Sequence, residues 1–222
     1  EYTALAVAGA IDPIDAVRLV AARGRFMQQA CDARPGAMAS VLGLAPEQVE
    51  QVVAELSSAE APLVVSNYNS PRQTVISGAA EAVERAIEPL RARGARRVVP
   101  LRVAGAYHSP LMAPAAERLA EQLEQVEIRA PRWPVFSNVT GAPHGEPDEI
   151  RRLLAEQVCR PVRWTDTMRG MREAGLEQFY ELGPGRALAG MLRQIDRGAK
   201  CASLMEWEDF ERMGWTWPAG SI

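Results

Sequence analysis

The chain has 222 residues, 47% of them hydrophobic and 24% charged, with a formal net charge of −3 at pH 7. These values are typical of one substantial globular core, and they exclude the basic field that recruits nucleic acid. No apolar run reaches the roughly 20 residues that span a bilayer. Three widely spaced cysteines and only two histidines argue against a disulfide framework or a metal site. We expect a cytoplasmic protein that binds neither nucleic acid nor membrane.

The chain opens with EYTALAVAGA, in which apolar residues recur at helical spacing. Because a globular domain seldom begins inside an apolar helix, we expect further residues to precede Glu1 in the native protein. Asp12 and Pro13 then predict the start of a long helix, with the aspartate as N-cap and the proline in the first turn. Pro35 and Gly36 predict its end.

Residues 36–103 follow the order β-α-β-β-α-β. Strands are predicted at GAMASVLGL, PLVVSNYN, QTVISG and RRVVPLRV, and amphipathic helices at PEQVEQVVAELS and AAEAVERAIEPLRARG. This order is typical of a ferredoxin-like unit. We therefore predict a small inserted domain over residues 36–103, with its own core.

Beyond the insertion, strands and helices alternate. Ser109 and Pro110 predict a helix that runs to about Val126. Further elements are predicted at WPVFSN (strand), PDEIRRLLAEQV and TDTMRGMREAG (helices), EQFYEL (strand), ALAGMLRQI (helix) and KCASLM (strand). The alternation predicts an α/β protein whose large domain, residues 1–35 and 104–222, contains a parallel sheet. The tryptophan-rich stretch from Trp207 shows no clear period.

Arg23 is the most informative residue of the first long helix. At about 100° per residue it falls in the middle of an apolar face. That face comprises Ala16, Leu19, Val20, Phe26, Met27 and Ala30. A guanidinium on a buried face needs an anion. A structural salt bridge is the more common solution, and a clamp for a substrate carboxylate is the alternative.

His108 lies in AGAYHSPLM, between the last strand of the insertion and the next helix. Clefts often form at such junctions, and the positive end of a helix favours a neutral imidazole that can act as a base. The alternative is a histidine that satisfies backbone groups at a helix start. Ser109 fits a helix cap better than a nucleophile. His144, in GAPHG, is predicted to be a solvated turn residue.

Two other features remain open. The loop GPGR at 183–186 joins a strand to a helix, as phosphate-binding loops do, although two glycines more often mark a plain tight turn. A basic cluster is either a solvated face or a docking site for an acidic partner. It comprises Arg91, Arg93, Arg96 and Arg97.

Taken in order, these motifs resemble those of malonyl-CoA:acyl-carrier-protein transacylases and the related acyltransferase domains of fatty-acid and polyketide synthases. The motifs are EYTALAVAGAID, RGRFMQ, NYNSPRQTVISG, AYHSPLM, PVRW and ELGPGRAL. The resemblance implies an α/β-hydrolase-like large domain with an inserted ferredoxin-like small domain. It also implies that the nucleophilic serine, in G-H-S-L-G, directly precedes Glu1, so that this chain lacks the serine and is inactive by itself.

The same resemblance implies roles for residues present here. His108 is the general base and then the general acid, and the backbone carbonyl of Gln157 orients its imidazole. Arg23 pairs with the carboxylate of the malonyl group, and Met27 lines the acyl pocket. We place Asn69 among the candidate substrate contacts, although turn chemistry alone accounts for it.

The implied reaction moves malonyl from malonyl-CoA to the phosphopantetheine thiol of acyl carrier protein through an acyl-serine, as in fatty acid biosynthesis. No metal and no cofactor beyond the substrate is implied. The carrier is acidic, which makes Arg96 and Arg97 candidate docking residues, and we expect a monomer. One alternative is an acyltransferase domain of a polyketide synthase, against which RGRFMQ and the short ending argue. The other is a non-catalytic scaffold that binds coenzyme A or the carrier. Tyr107, being bulky, favours malonyl over methylmalonyl.

Overall fold

The computed structural model describes residues 1–216 and divides into two compact units, Glu1–Thr167 and a second that begins at Met168. The first unit contains helices α1 (Tyr2–Val7), α2 (Pro13–Ala33), α3 (Pro46–Leu56), α4 (Ala80–Ala92), α5 (Ala113–Leu123) and α6 (Pro147–Glu156). Its strands are β1 (Gly36–Leu42), β2 (Leu63–Ser70), β3 (Gln73–Ala79) and β4 (Arg97–Pro100), and a 3-10 turn spans Pro110–Met112. The unit boundary falls within α7 (Trp164–Glu173).

The four strands of the first unit form an antiparallel sheet in the order β2-β3-β1-β4. This is the arrangement of a ferredoxin-like β-α-β-β-α-β unit, as the sequence pattern of residues 36–103 predicts. Helices α3 and α4 pack on the sheet and enclose an apolar cluster, which includes Val41, Val49, Ile76 and Leu90. Gly78 is required where β3 meets the start of β2, because a Cβ there would lie 2.1 Å from the Pro62 carbonyl oxygen.

A second apolar cluster lies among α1, α2, α5 and α6 and includes Leu5, Leu19, Leu119 and Ile150. Helix α2 begins where the sequence predicts. The Asp12 carboxylate accepts a hydrogen bond from the Ile14 backbone N–H at 2.8 Å. The long α2 therefore has one side in this core.

The other side of α2 differs from the sequence prediction. Val20, which the helical periodicity places on the buried face, is 49% exposed. It lies at the edge of the apolar arc and faces an open groove of about 600 Å³ between α1 and α2, together with Val7 and Val17. The contiguous apolar surface of α2 is thus wider than the part that its core covers.

The predicted strand at WPVFSN is wrong. Among residues 1–216, this segment forms only an isolated bridge between Phe136 and Pro143. Pro134 lacks a backbone N–H, and the Ser137 N–H bonds within the adjoining loop, to the Ala142 carbonyl at 2.9 Å. Within the described residues, the segment therefore has no neighbouring strand to pair with.

The second unit contains strands β5 (Gln178–Leu182) and β6 (Lys200–Leu204), which pair in parallel around the connecting helix α8 (Ala187–Ile195). This β-α-β unit agrees with the predicted α/β class. Helix α9 (Trp207–Arg212) occupies part of the stretch that the sequence left unassigned, whose last six residues lie outside the described chain. In the described part, no helix combines the length and the apolar character needed to cross a membrane.

Candidate active site

His108 lies in the segment between β4 and the 3-10 turn, one residue before the Ser109 cap of that turn. Its φ is +58°, and it is the only non-glycine residue with positive φ among residues 1–216. The left-handed region costs an L-residue about 1–2 kcal/mol, and residues held there cluster at functional sites. Ser109 holds the backbone on both sides of it. Its hydroxyl donates to the Ala106 carbonyl at 2.7 Å and accepts from the Leu111 N–H at 3.3 Å. Ser109 is therefore a structural cap.

The imidazole of His108 is oriented by a backbone carbonyl. Its Nδ1 lies 2.9 Å from the Gln157 carbonyl oxygen. A carbonyl can only accept, so Nδ1 carries the proton and Nε2 is left with a free lone pair. Burial lowers the pKa of His108, and the positive charge of Arg23 lowers it further; together they outweigh the opposing effect of backbone hydrogen bonds to Gln157 and Arg160. The sequence predicts a neutral imidazole from the helix start, whereas here burial is the main cause.

Arg23 meets the same residue from α2. Its Nη2 donates to the Gln157 side-chain oxygen at 3.0 Å, and its buried Nε has no hydrogen-bond partner in the described structure. Within residues 1–216, no Asp or Glu forms an ion pair with Arg23, so the common salt-bridge interpretation is not realised there. The guanidinium keeps an uncompensated positive charge and an unused donor, both of which suit an anionic ligand.

Gln157 therefore joins the two functional groups. It follows the last residue of α6, its side chain is largely buried, and its own N–H bonds to the Leu153 carbonyl at 2.9 Å. Its backbone oxygen holds His108 and its side-chain oxygen holds Arg23. Arg23 and His108, which are distant from Gln157 in the sequence, are thus both bonded to it. The site brings together a base and a cation.

The other predicted site residues lie apart from this hydrogen-bonded group. Met27 is buried in the core one turn after Arg23, and Asn69 is half-buried near the end of β2. In the described chain, no hydrogen bond links Asn69 to His108 or to Gln157. The pocket role of Met27 and the substrate role of Asn69 stay predictions.

The basic cluster divides into paired and unpaired arginines. Arg91 bonds to Glu88, and Arg93 bonds to Glu55, both at 2.5 Å. Arg96 and Arg97 are exposed and form no ion pair in the part of the chain that the structure describes. Their role in docking a partner stays a prediction.

The sequence prediction for His144 is wrong. Its side chain is fully buried, and its Nε2 lies 2.7 Å from Oε1 of Glu1, which is 3% exposed. Asn138 donates to the other Glu1 oxygen at 2.6 Å. Burial alone would raise the pKa of Glu1, but the bonds from His144 and Asn138 lower it. The loop that contains His144 therefore binds the residue at the start of α1. The residues next to His144 in the sequence are typical of a turn and give no sign of this contact.

The loop at 183–186 is a tight turn. Gly183 and Gly185 have φ of +113° and +106°. The Glu181 carboxylate accepts from the backbone N–H groups of Leu188 and Ala189, both at 2.9 Å. These are the first-turn donors of α8 that a bound phosphate would use, so the protein's own carboxylate occupies that position.

Known proteins resemble this chain over most of its length. The acyl transferase domain family matches residues 1–207. The malonyl CoA-acyl carrier protein transacylase of Bacillus subtilis is 39% identical over 211 residues, which are 95% of this chain and 67% of that protein. The protein of the same name from Escherichia coli K12 is 43% identical over 195 residues, 88% of this chain and 63% of that protein.

Solved structures agree. The malonyl-CoA:acyl carrier protein transacylase of Xanthomonas oryzae superposes with a TM-score of 0.92 at 39% identity, covering 98% of this chain and 69% of that one. A type II PKS acyl-carrier protein has been solved in complex with its malonyl-transacylase, which matches at a TM-score of 0.90 and 39% identity over 95% of this chain and 68% of that one. The chain spans about two thirds of the length of these relatives. It belongs to the acyl transferase domain family, among the malonyl CoA-acyl carrier protein transacylases.

Proposed function

We propose that the complete protein transfers a malonyl group from malonyl-CoA to the phosphopantetheine thiol of acyl carrier protein, in fatty acid biosynthesis. The observation that carries this proposal is the convergence on Gln157 of a neutral, oriented imidazole and an uncompensated guanidinium. The names of the relatives support malonyl-CoA as the donor, and the solved complex of one relative supports a carrier protein as the acceptor.

The chemistry is ping-pong acyl transfer. His108 Nε2 takes the proton of the serine hydroxyl, which the family resemblance places before Glu1, and the serine oxygen attacks the thioester carbonyl. The C–S bond breaks, and the imidazolium returns its proton to the departing coenzyme A thiolate. In the second half, His108 takes the proton of the carrier thiol, and the sulfur attacks the ester carbonyl. The C–O bond to the serine breaks, and the imidazolium returns its proton to the serine oxygen. Arg23 binds the malonyl carboxylate throughout.

The remaining expectations belong to the same proposal. Arg96 and Arg97 would contact the acidic carrier, Met27 would line the acyl pocket, and Asn69 would contact the substrate. The division into a large domain, 1–35 and 104–222, and a small domain, 36–103, is supported by an apolar cluster that lies entirely within the small one. The proposed protein is a monomer that needs no cofactor and works in the cytoplasm.

Mass spectrometry tests the proposal directly. The complete protein, with the residues that its gene encodes before Glu1, is mixed with malonyl-CoA. The expected result is a mass gain of one malonyl group that disappears when holo acyl carrier protein is added. Carriers from fatty acid and type II polyketide synthesis are compared to separate those two settings. Binding of coenzyme A without an adduct would favour the scaffold alternative instead.

A further inference from the structure

We propose that the side chain of Gln157 is a specificity-determining element, which holds the Arg23 guanidinium in position for a substrate carboxylate without neutralising its charge. This inference rests on the proposed function. It concerns the side-chain amide alone, since the interaction with His108 uses the backbone carbonyl of the same residue.

The acceptor that holds Arg23 is uncharged. Arg23 donates to Gln157 Oε1 at 3.0 Å, and a neutral amide oxygen fixes the guanidinium while leaving its charge uncompensated. A carboxylate at the same place would form a charge-assisted, two-pronged pair and compete with the substrate. An apolar side chain would add a second unsatisfied donor to the buried Nε that already lacks a partner.

The position of the Gln157 side chain is also fixed by its backbone. Gln157 is 8% exposed, and its backbone is held at both ends, by the Leu153 carbonyl on its N–H and by His108 on its own carbonyl. The amide therefore projects from a fixed point. Because one residue anchors both groups, the separation between the base and the cation is set by the length of a single glutamine side chain. A pre-positioned cation costs less ordering free energy when the acyl donor binds.

Two variants isolate the side chain, since both retain the backbone carbonyl that orients His108. In the complete protein, Gln157→Glu should lower kcat/KM for acylation by malonyl-CoA by at least about 30-fold, while acylation by acetyl-CoA stays within about threefold of wild type or rises. Gln157→Met should raise KM for malonyl-CoA about tenfold with little change in kcat, because the cation is present but no longer held.

The chain offers a matched control on α2, the helix that carries Arg23. Gln29 accepts a hydrogen bond from Arg118, an exposed Gln–Arg contact outside the proposed site. Gln29→Glu makes the same change of charge beside an arginine, and both substrates should react as in wild type. Thermal unfolding of each variant shows whether it remains folded.

The possible outcomes are separable. Equal loss with both donors in Gln157→Glu and Gln157→Met would mean that the side chain supports His108 or the fold, and would overturn the inference. Wild-type malonyl kinetics in both variants would overturn it as well. If the unmodified complete protein forms no malonyl adduct, the proposed function fails first, whatever the variants do.

Discussion

Replacing His144 with alanine should destabilise the first unit by about 3 kcal/mol at pH 7, because it removes a hydrogen-bond donor from the buried Glu1 carboxylate. The two side chains are 0% and 3% exposed and lie 2.7 Å apart. Asn138 would keep one hydrogen bond to the Glu1 carboxylate, so the expected loss should not exceed the roughly 3 kcal/mol that a lost hydrogen bond to a charged group costs.

The effect should depend on pH. The folded pKa of Glu1 lies below its ordinary value of 4.5. Its contribution is therefore fully present above pH 4.5 and is lost as the pH falls through the lower, folded pKa. Without His144, burial raises the pKa of Glu1, so protonation relieves the variant at mildly acidic pH. The difference between wild type and variant should shrink as the pH falls.

Urea unfolding of the complete protein, followed by tryptophan fluorescence at pH 7 and pH 5, measures both quantities. Glu1→Gln and the double variant close a cycle, and the double variant should lose less than the sum of the two single changes. A loss under about 0.5 kcal/mol, or the same loss at both pH values, would refute the interpretation that His144 stabilises a buried Glu1 carboxylate.

Three further predictions concern the site and its support. Arg23→Ala should lower kcat/KM for malonyl-CoA by about 10–100-fold and spare acetyl-CoA, measured as acyl-enzyme formation, whereas equal loss of both would remove the clamp. Acylation by malonyl-CoA should stay constant as the pH falls from neutral through 6.5 and decline only below it, because the pKa of His108 is lowered and the neutral form is the base; an inflection above 6.5 would contradict this assignment. Gly78→Ala should cost about 2 kcal/mol in urea unfolding, since the new Cβ meets the Pro62 carbonyl oxygen at 2.1 Å; unchanged stability would show that β2 can shift.

The sequence predicts local structure well where a short pattern suffices. The Asp12–Pro13 helix start, the order of elements over residues 36–103 and the β5–β6 pair all follow from spacing, caps and turn residues. The periodicity of α2 also predicts that Arg23 lies against the buried face. These properties depend on neighbours within a few residues, which is the range that such patterns describe.

Partners distant in the sequence are a different matter. Arg23 and Gln157 are separated by 134 positions, and Glu1 and His144 by 143. The family resemblance identifies the Gln157 carbonyl as a partner of His108, but no pattern indicated that the amide of the same residue would bond to Arg23. The prediction for His144 was wrong because GAPHG has the composition of a solvated turn. The burial of His144 depends instead on the Glu1 carboxylate, which is far away in the sequence.

The left-handed backbone at His108 has an evolutionary consequence. After glycine, asparagine and aspartate are the residues that tolerate this conformation best, and each is a single base change from a histidine codon. Asparagine, whose amide can donate to the Gln157 carbonyl as the imidazole does, would therefore keep the backbone conformation while removing the base. Chaperones and proteases, which recognise unfolded chains, would not remove such a variant, so selection against it would have to act through the lost activity.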